Sequence, residues 1–294
     1  TPITASMLTE IFDEVGLPPG VVNIVNGAGS TGAALVGHPG VDKVAFTGST
    51  GVGRRIMRAI AGSNKRATME LGGKGAHIIF ADAALDQAVE GVINGIFFNQ
   101  GHVCCAGSRL LLEESISEDF IARLKRRILT LRVGDPLDKN TDIGAINSAA
   151  QHKTIEHYIG IGRGEAREVW QGSACGLPDL GGNFVEPTLL LGVDQNDIVV
   201  REEIFGPVLA ALTFRTTDEA VAKANDSEYG LAAGVWSEKT SKLFETAHRL
   251  NAGVVWANGY NLFDPASPFG GVRHSGFGRE GGLAGLWPYM EVAR

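Results

Sequence analysis

The sequence has little of several features that mark particular classes of protein. It holds three cysteines in 294 residues, two of them adjacent, so it lacks the even, spaced set of a disulfide-stapled domain. It has no apolar run near the ~18 residues that a transmembrane helix needs. A net charge of −7 without a basic cluster argues against binding to nucleic acid. We therefore expect a cytoplasmic protein in a reducing compartment, with neither nucleic acid nor membrane as a partner.

Glycine is abundant instead. The 40 glycines amount to about 14% of the chain, twice the usual ~7%, and they follow no collagen-like period. Such residues are typical of tight turns and of places where backbones approach closely. At 294 residues the chain is long enough for two domains.

The apolar pattern predicts helices and strands that alternate. Apolar residues at positions 7, 8, 11, 12 and 15 predict a first helix, and a second amphipathic helix runs from Leu85 to Phe97. Shorter helices are predicted over 30–38 and 51–61, and strands over 21–25, 43–46, 67–71, 77–80, 109–113, 208–214 and 253–258. This alternation predicts an α/β fold with a parallel sheet, and the glycine-rich last thirty residues are expected to wrap over its surface.

Two short segments are candidate parts of a site. In AFTGSTGVGRRI (45–56) a strand, glycines and a helix start could hold a pyrophosphate, although the glycine spacing differs from G-x-G-x-x-G and a plain tight turn fits as well. In ATMELGGKGA (67–76), Glu70 ends an apolar strand. It is either a surface residue or a buried general base with a raised pKa.

Adjacent thiols occur in FFNQGHVCCAGSR (97–109). Cys104 and Cys105 are either buried structural thiols, or one of them is a thiolate nucleophile. The small residues beside them would leave room for the carbonyl group of a substrate. His102 with these cysteines lacks the separated ligand pairs of a zinc site, so no metal is predicted. In REEIFGPVLA (201–210) the acids are expected to be solvated when the segment is considered alone.

Together the motifs FTGST, MELGGK, FFNQGHVCCAGSR, EEIFGPV and SPFGG resemble the NAD(P)-dependent aldehyde dehydrogenases, in that family's order and spacing. The resemblance implies an incomplete Rossmann-type cofactor domain (1–72), an α/β catalytic domain (73–272) and a C-terminal segment (273–294) that returns toward the cofactor domain and the oligomer interface. It further implies the C-terminal three fifths of a subunit that forms dimers or tetramers.

The resemblance also assigns roles. Cys104 is the nucleophile that forms a thiohemiacetal and then a thioester, and Glu70 activates the water that hydrolyses it. His102 departs from the glutamine or glutamate usual at its position. The residues that the resemblance places around NAD, with NADP as the alternative, are Gly48, Ser49, Gly53, Leu71, Glu203 and Phe205. Two other functions stay open: a non-catalytic NAD-binding or structural relative, and an acyl-transferring enzyme that uses coenzyme A, which Glu70 disfavours.

The same resemblance places a substrate tunnel beside the nucleophile and along NLFDPASPF (261–269). Its predicted lining is Phe98, Val103, Cys105, Leu262, Phe263 and Phe269. None of these side chains can pair with a carboxylate, so a medium-chain aliphatic or aromatic aldehyde is the expected substrate. Simple core packing is the alternative for the two phenylalanines of the 261–269 segment.

Overall fold

Two sheets organise the part of the chain that the structure describes. The computed structural model describes residues 2–174 and 181–291. Its helices are α1 (Pro2–Glu14), α2 (Gly29–Gly37), α3 (Thr50–Ile60), α4 (Leu85–Phe97), α5 (Ser117–Ile128), α6 (Ala149–Glu165), α7 (Ile198–Arg201), α8 (Thr217–Asn225), α9 (Thr240–His248) and α10 (Gly282–Leu286). Its strands are β1 (Lys43–Thr47), β2 (Arg66–Glu70), β3 (Ala76–Ile79), β4 (Arg109–Glu113), β5 (Glu168–Gln171), β6 (Thr188–Leu191), β7 (Val208–Phe214), β8 (Ala232–Trp236), β9 (Val254–Ala257) and β10 (Gly276–Phe277).

The smaller sheet has the order β1-β2-β10. Strands β1 and β2 run parallel, and α3 is the crossover between them. On α3, Ile56 and Ile60 bury their side chains together with Met69 of β2. Strand β10 adds to β2 in the antiparallel direction and sets Gly276 opposite Glu70. Glu70 therefore ends a central strand, with backbone on both sides.

The larger sheet has the order β5-β6-β7-β4-β3-β8-β9, and its neighbours are parallel except for the β5–β6 pair. Alternate residues of one strand belong to two different cores: Leu111 packs with Ile78, whereas Leu110 and Leu112 pack with Ile79. Both faces are thus buried, which explains the unbroken apolar runs of these strands. Because β3, β4 and β7 are parallel neighbours, the segments that precede them meet at one edge of the sheet.

Most predicted elements are confirmed within one or two residues. The fold is α/β with parallel sheets, as expected, and the helix predicted from Leu85 to Phe97 has those bounds. The last predicted strand is shorter, Val254–Ala257. The C-terminal stretch does more than wrap over the surface, because β10 pairs with β2 and Ser275 is fully buried. Within the described ranges, no helix has the length and apolar character to cross a bilayer.

The strand predicted over 21–25 is wrong. These residues lie in no strand, and Val21, Val22 and Val25 are 46–63% exposed. A strand forms only when its backbone N–H and C=O groups find a partner strand, and none of the described strands pairs with this segment. Its apolar residues therefore satisfy the pattern of a strand without the pairing that would make one.

Candidate active site

A four-residue turn carries the two adjacent thiols. Helix α4 ends at Phe97, and the next turn holds Asn99, Gln100 and Gly101 in the left-handed region, with φ of 50°, 57° and 73°. A Cβ on Gly101 would lie 2.2 Å from the carbonyl oxygen of Gly206, so only glycine fits there. The chain then reverses through residues 103–106, closed by a 3.0 Å hydrogen bond from the Ala106 N–H to the Val103 carbonyl. The two thiols occupy the corners of this turn.

The environment makes the two thiols different. Cys104 is half-buried and Cys105 is buried. A hydrogen bond from the Cys105 thiol is the main cause that lowers the pKa of Cys104, helped by the backbone N–H groups of both residues and opposed by burial and by Glu203. The same hydrogen bond, with burial, raises the pKa of Cys105 well above its usual value. Cys104 therefore ionises first and Cys105 keeps its proton.

The Cys105 proton has two acceptors within reach. In the structure the thiol donates to Oδ1 of Asn261 over 3.5 Å. Once Cys104 is ionised, the thiolate is the stronger acceptor, because a hydrogen bond to a charged group is shorter and stronger than one to an amide oxygen. Cys105 is thus able to respond to the charge on its neighbour.

Glu70 is buried, so the surface alternative for this residue is wrong. The residue is 5% exposed, and neither carboxylate oxygen has a hydrogen-bond partner in the described part of the chain. Burial raises the pKa of Glu70 to about 8, and repulsion from Glu280 and Cys104 adds to this against Arg279. A carboxyl with that pKa can gain and lose a proton close to neutral pH, which suits a general base.

The predicted pyrophosphate segment forms the start of α3. Ser49 is the N-cap residue, and its hydroxyl accepts a hydrogen bond from the Val52 N–H at 3.4 Å. The Gly48 N–H donates to the Glu70 carbonyl at 3.0 Å and so ties this start to β2. Gly53 lies deeper, where a Cβ would come 2.6 Å from the Leu71 side chain. The structure thus shows Gly53 making room for close helix–strand packing against Leu71.

Glu203 and Phe205 reach the same edge of the larger sheet. The Gly73 N–H donates to Oε1 of Glu203 at 2.8 Å. Burial raises the pKa of Glu203, while the Gly73 N–H and Lys74 act in the opposite direction. Phe205 has a left-handed backbone, with φ of 55°, and its ring meets His102 edge-on at 5.4 Å. Glu203 is therefore half-buried and held, not solvated as its segment suggested, whereas Glu202 is exposed.

Three further residues support this site and escaped the sequence analysis. The Gln151 amide donates to the carbonyls of Ile204 and Phe205, each at 3.0 Å. Lys74 is 2% exposed, and burial together with Arg109 lowers its pKa to about 7. Tyr260 donates its hydroxyl to the Cys105 carbonyl at 2.8 Å. No local sequence pattern marks Gln151 or Tyr260. Lys74 could have been identified from the sequence, because it is a lysine inside a glycine-rich turn between two apolar strands.

The predicted pocket residues divide into two groups. Val103, Cys105 and Phe269 pack in one cluster with Cys104. Phe263 joins them through its ring, 5.2 Å from that of Phe269 and 5.5 Å from that of Trp256. Phe98, Leu262 and Phe263 are 61%, 67% and 58% exposed, so Phe263 combines ring contacts with an exposed face. Across residues 2–174 and 181–291, no group of three or more His, Cys, Asp or Glu side chains could hold a metal ion.

Known proteins share this sequence and this fold. The family model described as "Aldehyde dehydrogenase family" matches residues 1–294. DhaS of Bacillus subtilis (strain 168), assigned by its name to the aldehyde dehydrogenases, is 46% identical over 99% of this chain. A betaine aldehyde dehydrogenase of Mesorhizobium japonicum is 43% identical over the same share. The solved structure of an indole-3-acetaldehyde dehydrogenase complexed with NAD+ is 43% identical over 99% of the chain, with a TM-score of 0.95.

These proteins are longer than the present chain. It spans 59% of DhaS, 60% of the betaine aldehyde dehydrogenase and 59% of the indole-3-acetaldehyde dehydrogenase chain. The family model nevertheless covers every residue given. The chain belongs to the aldehyde dehydrogenase family.

Proposed function

We propose that this chain carries the catalytic residues of an enzyme that oxidises an aldehyde to a carboxylic acid with NAD+. The observation that carries the proposal is a pair of groups whose pKa values are shifted in opposite directions. The Cys104 thiol has a lowered pKa and the Glu70 carboxyl has a raised one, and Cys104 is close enough to contribute to the raised pKa of Glu70. A nucleophile and a base whose pKa values are pushed toward neutrality from either side suit acyl chemistry at neutral pH.

The first half of the reaction uses the turn at residues 103–106. The Cys104 thiolate attacks the aldehyde carbon, so a C–S bond forms and the carbonyl electrons move to oxygen. The backbone N–H groups of Cys104 and Cys105, which point to the thiolate before attack, are available to the developing negative charge. NAD+, when bound, supplies the acceptor for the hydride that leaves the aldehyde carbon. Cys104 then holds the acyl group as a thioester.

The second half uses Glu70. Its ionised carboxylate takes a proton from water, and the water oxygen attacks the thioester carbon. The C–S bond breaks, Cys104 leaves as a thiolate, and the product is the carboxylic acid. Burial keeps Glu70 without competing hydrogen-bond donors among the described residues, so its basicity is available for water.

The chain offers a fitting place for NAD. The eleven-residue helix α3 presents its N-terminus, capped by Ser49, where a pyrophosphate is stabilised by free N–H groups and the helix dipole. Beside it, a largely apolar cavity of about 780 Å³ lies between α2, β1 and α3, lined by residues such as Gly32, Val44 and Val52. Glu203, fixed by the Gly73 N–H, is the acceptor we propose for a ribose hydroxyl. The NAD+ complex of the similar indole-3-acetaldehyde dehydrogenase supports this choice of cofactor.

For the substrate we propose a medium-chain aliphatic or an aromatic aldehyde. Trp256 and Phe269 belong to the cluster that holds Cys104, and the partly exposed ring of Phe263 packs against both of them. An apolar chain would gain about 0.8 kcal/mol for each methylene buried there. This proposal agrees in kind with the aromatic aldehyde named for the similar indole-3-acetaldehyde dehydrogenase.

The test is NADH formation by the native polypeptide that contains this chain, with hexanal as substrate. We expect NADH and hexanoic acid in equal amounts without coenzyme A, and no NADH from the Cys104→Ala variant. NADH that appears only with coenzyme A would establish the acyl-transferring alternative. Binding of NAD without turnover of any aldehyde would establish the non-catalytic one.

A further inference from the structure

A tyrosine ring fills a slot that four glycines leave open. Tyr260 is 2% exposed. A Cβ at any of four glycines would come within 2.6–3.2 Å of the Tyr260 side chain; they are Gly75, Gly95, Gly107 and Gly234. Gly75 precedes β3, Gly95 lies in α4, Gly107 follows the thiol turn and Gly234 lies within β8. Four segments thus give up their side chains to admit one ring, which fixes its position.

A buried histidine supports that ring from below. His77 of β3 is fully buried, and its ring stacks on Tyr260 with centroids 4.5 Å apart. The Trp236 indole N–H donates to Nε2 of His77 at 2.6 Å, so the proton of the neutral ring is on Nδ1. Nδ1 is buried without a partner among the described residues, so the ring is held by its stacking on Tyr260 and by the Trp236 N–H.

The hydroxyl of Tyr260 reaches the turn that carries the thiols. It donates to the Cys105 carbonyl at 2.8 Å. Asn94 of α4 holds the segment that carries Tyr260. Its side-chain amide donates to the Tyr260 carbonyl at 3.2 Å, and its backbone carbonyl accepts from the Asn261 side chain at 3.0 Å. The hydroxyl thus fixes the peptide between Cys105 and Ala106, whose N–H closes the thiol turn by donating to the Val103 carbonyl at 3.0 Å. Within that closed turn the Cys105 N–H points to the Cys104 sulfur.

We infer that Tyr260, supported by His77, is a positioning residue for Cys104: its hydroxyl fixes the Cys105 carbonyl and so aims the N–H groups of the turn at the Cys104 thiolate. The inference rests on the role proposed for Cys104 as nucleophile. The groups that face this thiol are the Cys105 thiol, Glu203 and Glu70. Among the described residues the Tyr260 hydroxyl hydrogen-bonds to the Cys105 carbonyl and to none of these three side chains. The effect of Tyr260 is therefore carried by the main chain.

The test measures the reactivity of Cys104 directly. In the native polypeptide, the rate of alkylation by iodoacetamide is followed from about pH 6 to about pH 10, with the modified cysteine identified by fragmentation mass spectrometry. For Tyr260→Phe we expect alkylation of Cys104 near pH 7 to slow about fivefold and the midpoint of the pH profile to rise, because the thiolate loses aligned donors. Tyr289→Phe, the same change at an exposed tyrosine, should leave both unchanged.

His77 is tested through Tyr260. His77→Leu should slow alkylation in the same direction by a smaller factor and should add nothing in the Tyr260→Phe background, since it acts through that ring. Melting curves confirm that each variant is folded at the assay temperature. If Tyr260→Phe does not fold, Trp236→Phe takes its place. This change removes the indole N–H that donates to His77, and we expect it to slow the alkylation of Cys104 as well.

An unchanged alkylation rate and midpoint in the folded Tyr260→Phe variant overturns the inference. So does an equal loss in the Tyr289→Phe control. The proposed function is judged separately: slowed alkylation in a protein that oxidises no aldehyde would refute the function and keep the inference. Unchanged alkylation of the variant in a protein that oxidises aldehydes normally would refute the inference and keep the proposed function.

Discussion

The pH dependence of thioester hydrolysis is the sharpest consequence of the buried carboxyl. With a pKa of about 8, Glu70 is about one tenth ionised at pH 7 and about nine tenths ionised at pH 9. Only the ionised form can take a proton from water, so the hydrolysis rate should rise about tenfold between these two pH values. Burial is the main cause of the raised pKa of Glu70, and repulsion from Glu280 and from Cys104 adds to it.

Replacing the carboxyl separates the two halves of the reaction. In Glu70→Gln, hydride transfer should persist while hydrolysis slows, giving a rapid burst of NADH followed by slow turnover that no longer rises with pH. Stopped-flow fluorescence of NADH measures both phases. Glu245→Gln, which alters an exposed ion pair on α9, is the control and should keep the wild-type profile. Turnover that is flat with pH in the wild type, or a Glu70→Gln variant without a burst, would refute the role of Glu70 as base.

The same pKa has a consequence for stability. A carboxyl whose pKa is raised in the folded state favours folding below its usual value near 4.5, and that contribution is lost as the pH rises through about 8. The contribution of Glu70 should therefore lower the melting temperature of the wild type between about pH 5 and pH 8 and level off above that range. Glu70→Gln, which cannot ionise, should show a smaller fall, and an equal fall in both proteins would count against a raised pKa.

Three other outcomes are expected. Cys105→Ala should keep most NADH formation because Cys105 assists but does not attack; damage as large as that of a Cys104 substitution would reverse the assignment of the thiols. The value of kcat/KM should be higher for hexanal and benzaldehyde than for succinic semialdehyde, whose carboxylate would lose several kcal/mol of hydration against Phe263 and Phe269; a preference for the semialdehyde would exclude this pocket. Residues 1–294 expressed alone should aggregate and bind NAD weakly, since β1 is an unpaired sheet edge and the valines at 21–25 are exposed; a monodisperse sample with micromolar NAD affinity by calorimetry would contradict this.

Elements with a strong local pattern could be predicted before the structure was known. The spacing of apolar residues in 85–97 gave a helix because one face of it packs on a core, and the apolar run in β4 gave a strand because both faces are covered. The same reasoning failed at 21–25. An apolar run becomes a strand only beside a partner, and partners are a property of the assembled sheet.

By itself the sequence determined the fold class, the family and the identity of the candidate nucleophile, since these follow from local order and from motifs that keep their spacing along the chain. Only the tertiary structure decided that Glu70 is buried, that Glu203 binds the Gly73 N–H, and that Tyr260 reaches the Cys105 carbonyl. Tyr260 is 155 positions from its partner, and Glu203 is 130 from Gly73. Contacts of such separation arise from strand order in the sheet, which no local pattern encodes.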